Sequence, residues 1–148
     1  MNLGASAQMT STLSKGDTLE KLFRDCADYR VSTLPVVDQQ GIICGAVSLH
    51  DLLAEMMLPD YLAKAAHVLG DEAAMLHAIE PDMDEWCSKL IDDYITDKFY
   101  LVTPESSLTK GLALMTGKGT SCLFVVENDT YRGIVTRITI VQRLLDKL

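Results

Sequence analysis

Thr33-Leu34-Pro35-Val36-Val37 is followed by the turn-forming Asp38-Gln39-Gln40-Gly41 and then by Ile42-Ile43-Cys44-Gly45-Ala46-Val47. Two apolar runs rich in β-branched residues, divided by such a turn, read as a β-hairpin. The same text returns 89 residues later as Cys122-Leu123-Phe124-Val125-Val126, Glu127-Asn128-Asp129-Thr130 and Tyr131-Arg132-Gly133-Ile134-Val135. At that shift Leu19 also aligns with Leu108, Lys21 with Lys110, Ser32 with Ser121 and Leu34 with Leu123. The second turn is one residue shorter, and beyond it a shift of 88 sets Gly45 on Gly133, Val47 on Val135 and Ser48 on Thr136. The chain is two related units of about 45 residues each, divided by an insert.

Working outward from each hairpin, the flanking text also matches. A short apolar stretch leads in, Thr12-Leu13 in one unit and Tyr100-Leu101-Val102-Thr103 in the other. Asp17 or Thr18 then caps a helix whose apolar face is Leu19, Leu22, Phe23 and Cys26, the i, i+3, i+4, i+7 set. Ser106 or Ser107 does the same for Leu108, Leu112 and Met115, with Gly117 as the expected stop. A second helix closes each unit, near residues 49–57 and 138–148. The order β-α-β-β-α, twice, with apolar runs continuous enough to be covered on both faces, predicts an α+β fold. The expected division is 8–58, an acidic helical insert at 59–97, and 98–148. Within the insert, Pro59 ends the preceding helix and Tyr61, Leu62, Ala65, Ala66 and Leu69 form a stripe ending at Gly70. Pro81 suits a first helical position, and Met83, Trp86, Cys87, Leu90, Ile91 and Tyr94 mark one helical face, with Asp82, Asp84 and Glu85 at its positive end.

Composition narrows the function. Of 148 residues, 48% are hydrophobic and 23% charged, which argues for a folded core rather than disorder. There is no apolar run of about 18 residues to span a bilayer and no basic-then-apolar leader, so a cytoplasmic protein is expected. Residues 55–98 hold eleven acids against three lysines, which accounts for the whole net charge of −8, while the flanks balance. An acidic middle without a basic stripe elsewhere speaks against nucleic acid and anionic membranes as partners. Cys26, Cys44, Cys87 and Cys122 stand far apart among apolar neighbours and read as small buried residues, without disulfides or zinc. His67 and His77 lack the i, i+4 spacing of a helical metal site, and Asp82-x-Asp84-Glu85 lacks the glycine of a calcium loop. No nucleophile-and-base set is recognisable, so no catalysis is expected.

The text Leu34-Pro35-Val36-Val37-Asp38 … Gly41 … Gly45-Ala46-Val47-Ser48-Leu49-His50-Asp51-Leu52-Leu53, with its twin Val125-Val126-Glu127 … Gly133-Ile134-Val135-Thr136, resembles the tandem cystathionine-β-synthase-type (CBS) domain family, the pair called a Bateman module. The twin departs at Phe124, where the first unit has Pro35, and at Thr139, where the acid would fall. The resemblance implies two motifs packed about a pseudo-twofold axis, a homodimer, and a regulatory role toward a partner protein. It implies an adenosine ligand (AMP, ADP, ATP or S-adenosylmethionine) and no required cofactor. Ser48, His50 and Asp51 would serve ribose and phosphate, and Gly45 would let the ligand approach the backbone. The adenine would lie against Thr12, Leu13, Ser32, Thr33 and Leu34. Thr136, Arg137 and Thr139 are the candidate contacts of a second site, with Arg132 and Lys118 as further sources of phosphate charge.

The chemistry suits the residue types. Ser48 would stand at a helix N-terminus, where amides and dipole favour phosphate. A carboxylate one turn on can accept both ribose hydroxyls. The same residues also fit plainer roles, Ser48 as an N-cap and Asp51 as a partner of the helix dipole. A second functional expectation therefore stands beside the first: a ligand-free interaction module whose acidic insert docks a basic partner.

Overall fold

The computed structural model describes residues 2–57 and 80–148. Strands β1 (Thr33–Val37) and β2 (Ile43–Ser48) form one antiparallel sheet, pairing Thr33 with Ser48 and Val36 with Gly45. The second sheet has order β3-β4-β5, with β3 (Leu101–Val102) parallel to β4 (Cys122–Glu127) and β4 antiparallel to β5 (Thr130–Thr136). Both hairpins carry a bulge at the equivalent place, between Val36 and Val37 and between Val125 and Val126. Their turns differ. Asn128 and Asp129 both have positive φ and close β4–β5 in two residues, the geometry that suits strand twist. In the first unit, Asp38 Oδ1 accepts from the amides of Gln40 and Ile42 and holds a longer turn. That is the one-residue change in the repeat shift.

The flanking helices are α1 (Leu19–Tyr29), α2 (Leu49–Met57), α4 (Leu108–Lys118) and α5 (Arg137–Leu145), with α3 (Met83–Ser88) before the second unit. Thr18 and Ser107 are the N-caps of α1 and α4, accepting from the amides of Lys21 and Lys110. Helix α4 runs through Gly117 and stops at Gly119, whose φ of +64 supplies the left-handed cap. Leu112 is exposed, because Gly111 is the buried residue of that face, with Leu3 packed on it.

What joins the units is an exchange of their leading segments. Leu3–Ser6 and Ile91–Tyr94 are each four-residue 3-10 turns, 88 positions apart. Leu3 donates its amide to Ser106 and is fully buried in the second unit's core, with Val102, Met115 and Leu123. Ile91 donates to Asp17 and is fully buried in the first unit's core, with Leu13, Leu19 and Leu34. Gln8 exchanges two backbone hydrogen bonds with Ile134 (2.9 and 2.8 Å), and Thr96 exchanges two with Ala46 (2.8 and 3.0 Å). These pairs correspond under the same shift of 88. Burying each of Leu3 and Ile91 removes about 2 kcal/mol worth of apolar surface from water, so each unit contributes to the stability of the other.

Three expectations are corrected, the first and third by this exchange. The face Met83 to Tyr94 is not one helix: α3 ends at Ser88, Lys89 and Leu90 are extended, and Leu90 bridges to Thr18. The backbone there leaves helical bonding because Leu19 donates to Lys89 and Ile91 donates to Asp17. Pro81 precedes the N-cap, Asp82, which accepts from Glu85 N, rather than opening the helix. Gly45 is packed by its own chain, since a Cβ there would meet Ile95 Cγ2 and the Thr96 carbonyl. Cysteines also divide. Cys26 and Cys122 are buried, but Cys44 is exposed because strand alternation turns it out between inward Ile43 and Gly45, and Cys87 is half-buried. The stripe from Tyr61 to Leu69, with Pro59, Gly70, His67 and His77, lies outside the described residues.

Candidate functional site

Helix α2 begins directly at the end of β2, because Ser48 stops the ladder and caps the helix. Its Oγ accepts the His50 amide at 3.2 Å, and the Leu49 amide donates to the Ser32 carbonyl at 2.8 Å. An accepting hydroxyl still has its own proton to donate. The end of α2 is thereby tied to the start of β1, so Ser32, Thr33, Ser48 and His50 share one wall of a cleft of about 600 Å³.

The opposite wall comes from the second unit. Thr96, Lys98, Phe99 and Tyr100 stand on the leading segment that Thr96 pins to Ala46, and Thr120 and Ser121 stand where α4 turns into β4. Phe99 packs on Phe124 with ring centroids 6.3 Å apart, and Phe124 meets Tyr131 edge-on at 6.0 Å. The lining therefore combines aromatic rings, those of Phe99, Tyr100 and Phe124, with the hydroxyls of Ser32, Ser48, Thr120 and Ser121 and the ammonium of Lys98. Lys118 sits over the Tyr100 ring, 6.0 Å from its centroid. The buried Cys122 thiol also faces this cleft; burial raises its pKa, and the hydrogen bond with Thr33 works against that rise.

Asp51 is exposed and lines a small adjoining recess of about 70 Å³ with Glu55 and Tyr94. Ser48 and Thr96 belong to both the recess and the main cleft, so Asp51 stands beside the cleft. Ser32, Thr33, Ser48 and His50 are thus brought together, with Asp51 beside them. Thr12, Leu13 and Leu34 lie elsewhere. Leu13 is fully buried, bridging Val36 and bonding Pro35 and Val37, and Leu34 is fully buried in the same core. The Thr12 carbonyl accepts from Lys21 Nζ, which also pairs with Asp25 at 2.9 Å. The exchange of leading segments is the reason: the stretch that reaches Ser48 is Thr96–Tyr100, not its counterpart in the first unit.

At the twin position, Thr136 and Thr139 form a reciprocal cap on α5. Thr136 Oγ1 accepts from Thr139 N, and Thr139 Oγ1 accepts from Thr136 N and donates to the Thr136 carbonyl. The Thr139 hydroxyl is spent on the backbone both as acceptor and as donor, and Thr139 is buried where Asp51 is exposed. Thr10, the counterpart of Lys98, is buried and hydrogen-bonded to the Tyr131 hydroxyl at 2.7 Å. Burial pushes the Tyr131 phenol up to about 12, with the bond to Thr10 pulling the other way. Arg137 is exposed at the start of α5, and Arg132 lies 3.7 Å from Glu127. Among the described residues no helix is long and apolar enough to cross a membrane.

Sequence reasoning missed Thr96, Lys98, Phe99, Tyr100, Thr120 and Ser121. The repeat did carry one signal, since Ser121 is the counterpart of Ser32; nothing local could place residues 96–100 against the other unit. The CBS domain model matches this chain twice, at residues 9–58 and 91–146. A search of curated proteins finds no match. Among solved structures, a putative acetoin utilization protein (AcuB) from Vibrio cholerae is similar at 19% identity and TM-score 0.70, covering 99% of this chain and 92% of its own. The CBS-pair protein CBSX2 from Arabidopsis thaliana is similar at 21% identity and TM-score 0.69, covering 99% and 95%. A CBSX2 structure in complex with AMP has 21% identity and TM-score 0.68, covering 98% and 97%.

Proposed function

The chain belongs to the CBS-domain family, and from that membership we propose that it is a regulatory module that binds an adenosine nucleotide and modulates a partner protein, with no catalysis of its own. The observation that carries this reading is the cleft at the N-terminus of α2, walled by both units, with Ser48 and His50 on one side and Lys98 and Tyr100 on the other. The nucleotide's phosphate would take the positive end of the α2 dipole and the Ser48 hydroxyl, its ribose would reach Asp51, and its base would lie on the cleft's aromatic rings. The AMP complex of CBSX2 supports the ligand class. Thr12, Leu13 and Leu34 are left out of this assignment, and Thr136, Arg137 and Thr139 are assigned to no nucleotide.

Binding in a cleft shared by two units regulates when the ligand prefers one arrangement of those units over another. A homodimer in the cytoplasm is the assembly we propose for it. Thermal unfolding with AMP, ADP, ATP, S-adenosylmethionine and NAD tests the reading. A ligand at a hundred times its dissociation constant adds about 2.7 kcal/mol and raises the midpoint by several degrees. The shift should vanish in Asp51→Ala. No shift with any of them would leave the other reading, in which the acids around α3 dock a basic partner; Asp82, Asp84 and Glu85 are all exposed there.

A further inference from the structure

The cleft's charge is one-sided. Lys98 lines it, Lys118 Nζ lies over the Tyr100 ring on its wall, 6.0 Å from the centroid, and among the described residues no carboxylate lines it. The carboxylates nearest to it by lining, Asp51 and Glu55, belong to the adjoining recess. Lys98 is exposed, and the three ion pairs among the described residues engage Lys21, Arg24 and Arg132 instead. The fold does not require a base at this point of the leading segment. Its counterpart, Thr10, is buried and locked to Tyr131, whereas the backbone at residue 98 is held by the Thr96 hydroxyl accepting the Lys98 amide, leaving the side chain out of the packing.

We propose that Lys98 is a specificity-determining residue that makes the cleft selective for anionic adenosine phosphates and rejects S-adenosylmethionine. The inference rests on the cleft being the adenosine site. AMP and S-adenosylmethionine share adenine and ribose and differ in what the 5′ carbon bears, a phosphate in one and a cationic sulfonium in the other. Adenine and ribose contacts cannot tell them apart, so discrimination falls to the charges around the 5′ group. There the sulfonium meets an ammonium and the positive end of α2, and the phosphate meets the same groups with the opposite sign. The second unit therefore chooses the ligand that the first unit's Ser48 and Asp51 hold. Such a division makes recognition depend on the two units being correctly placed against each other.

Calorimetric titration of the full chain with AMP, adenosine and S-adenosylmethionine tests this, in the wild type, Lys98→Ala and Lys98→Glu. AMP should bind at least about tenfold more tightly than adenosine or S-adenosylmethionine, and Lys98→Glu should erase that preference while adenosine binding stays unchanged. AMP affinity should also fall with added salt in the wild type and less steeply in Lys98→Ala, since an exposed charge is screened within a Debye length. Unaltered thermal midpoints of the apo variants would confirm that they fold. Equal binding of all three compounds, indifferent to Lys98→Glu, would overturn the charge selection and leave the adenosine site standing. Binding of none of them would overturn the site and the selection together.

Discussion

Gly133 gives the sharpest test of the exchange between units. Its φ is +142, and a Cβ built there would lie 2.8 Å from the Gln8 carbonyl oxygen and 3.1 Å from Ala7 Cβ. The obstacle is backbone, so it cannot step aside as a side-chain tip could. In Gly133→Ala the residue occupies a region that side chains rarely enter, at about 1–3 kcal/mol. Pushing residues 7–8 off β5 also breaks the two hydrogen bonds between Gln8 and Ile134, at about 1 kcal/mol net each. Relief by a strand shift recovers some of this, so the expected loss is about 3–4 kcal/mol. Gly119→Ala is the control: φ is +64, but nothing lies within 4 Å of the new methyl, and the cost is about 1–2 kcal/mol. Both substitutions restrict the unfolded chain equally, and that effect cancels in the comparison. Urea unfolding at a slope of about 2 kcal/mol/M should place the Gly133→Ala midpoint about 1 M below that of Gly119→Ala. Coincident midpoints would refute the close approach of the first unit's leading segment to the second unit's hairpin.

Thr136→Ala removes the reciprocal cap of α5 and should cost about 1 kcal/mol, read as a lower thermal midpoint; an unchanged midpoint would mean the cap is idle. Alkylation of the native protein should modify exposed Cys44 first and spare Cys26 and Cys122 until unfolding, since burial raises both thiols, Cys26 to about 12. Early modification of Cys26 would contradict its place in the core. Burial raises the Asp25 pKa, but hydrogen bonds from Lys21 and Ser11 together with the Lys21 charge more than reverse that, leaving it below its usual 3.8. Its contribution is therefore present above pH 3.8 and lost as pH falls through the lower folded value. The stability gap between wild type and Asp25→Asn should accordingly be constant near neutrality and close in acid, and a gap that widens there would reverse the sign of this argument.

Part of this protein is decided by local chemistry and so stands in the sequence. Hairpin runs of Val, Ile and Leu, the caps Thr18 and Ser107, and the repeated order of elements depend on neighbours a few residues away, and the duplication states each of them twice. Even there, local signals missed what a distant residue changes: Leu3 on Gly111 turns Leu112 outward, and Asp17 with Leu19 breaks the helix expected through Leu90. The candidate site divides in the same way. Ser48 and His50 belong to a β2–α2 junction that the motif specifies, so they were legible. Lys98, Phe99 and Tyr100 reach that junction because residues 91–96 cross to the other unit, where Ile91 finds an apolar core and Thr96 a strand edge. Two related units offer each leading segment two similar docking edges. The choice between them is made by long-range packing and backbone pairing, which leave no periodicity in the chain to read.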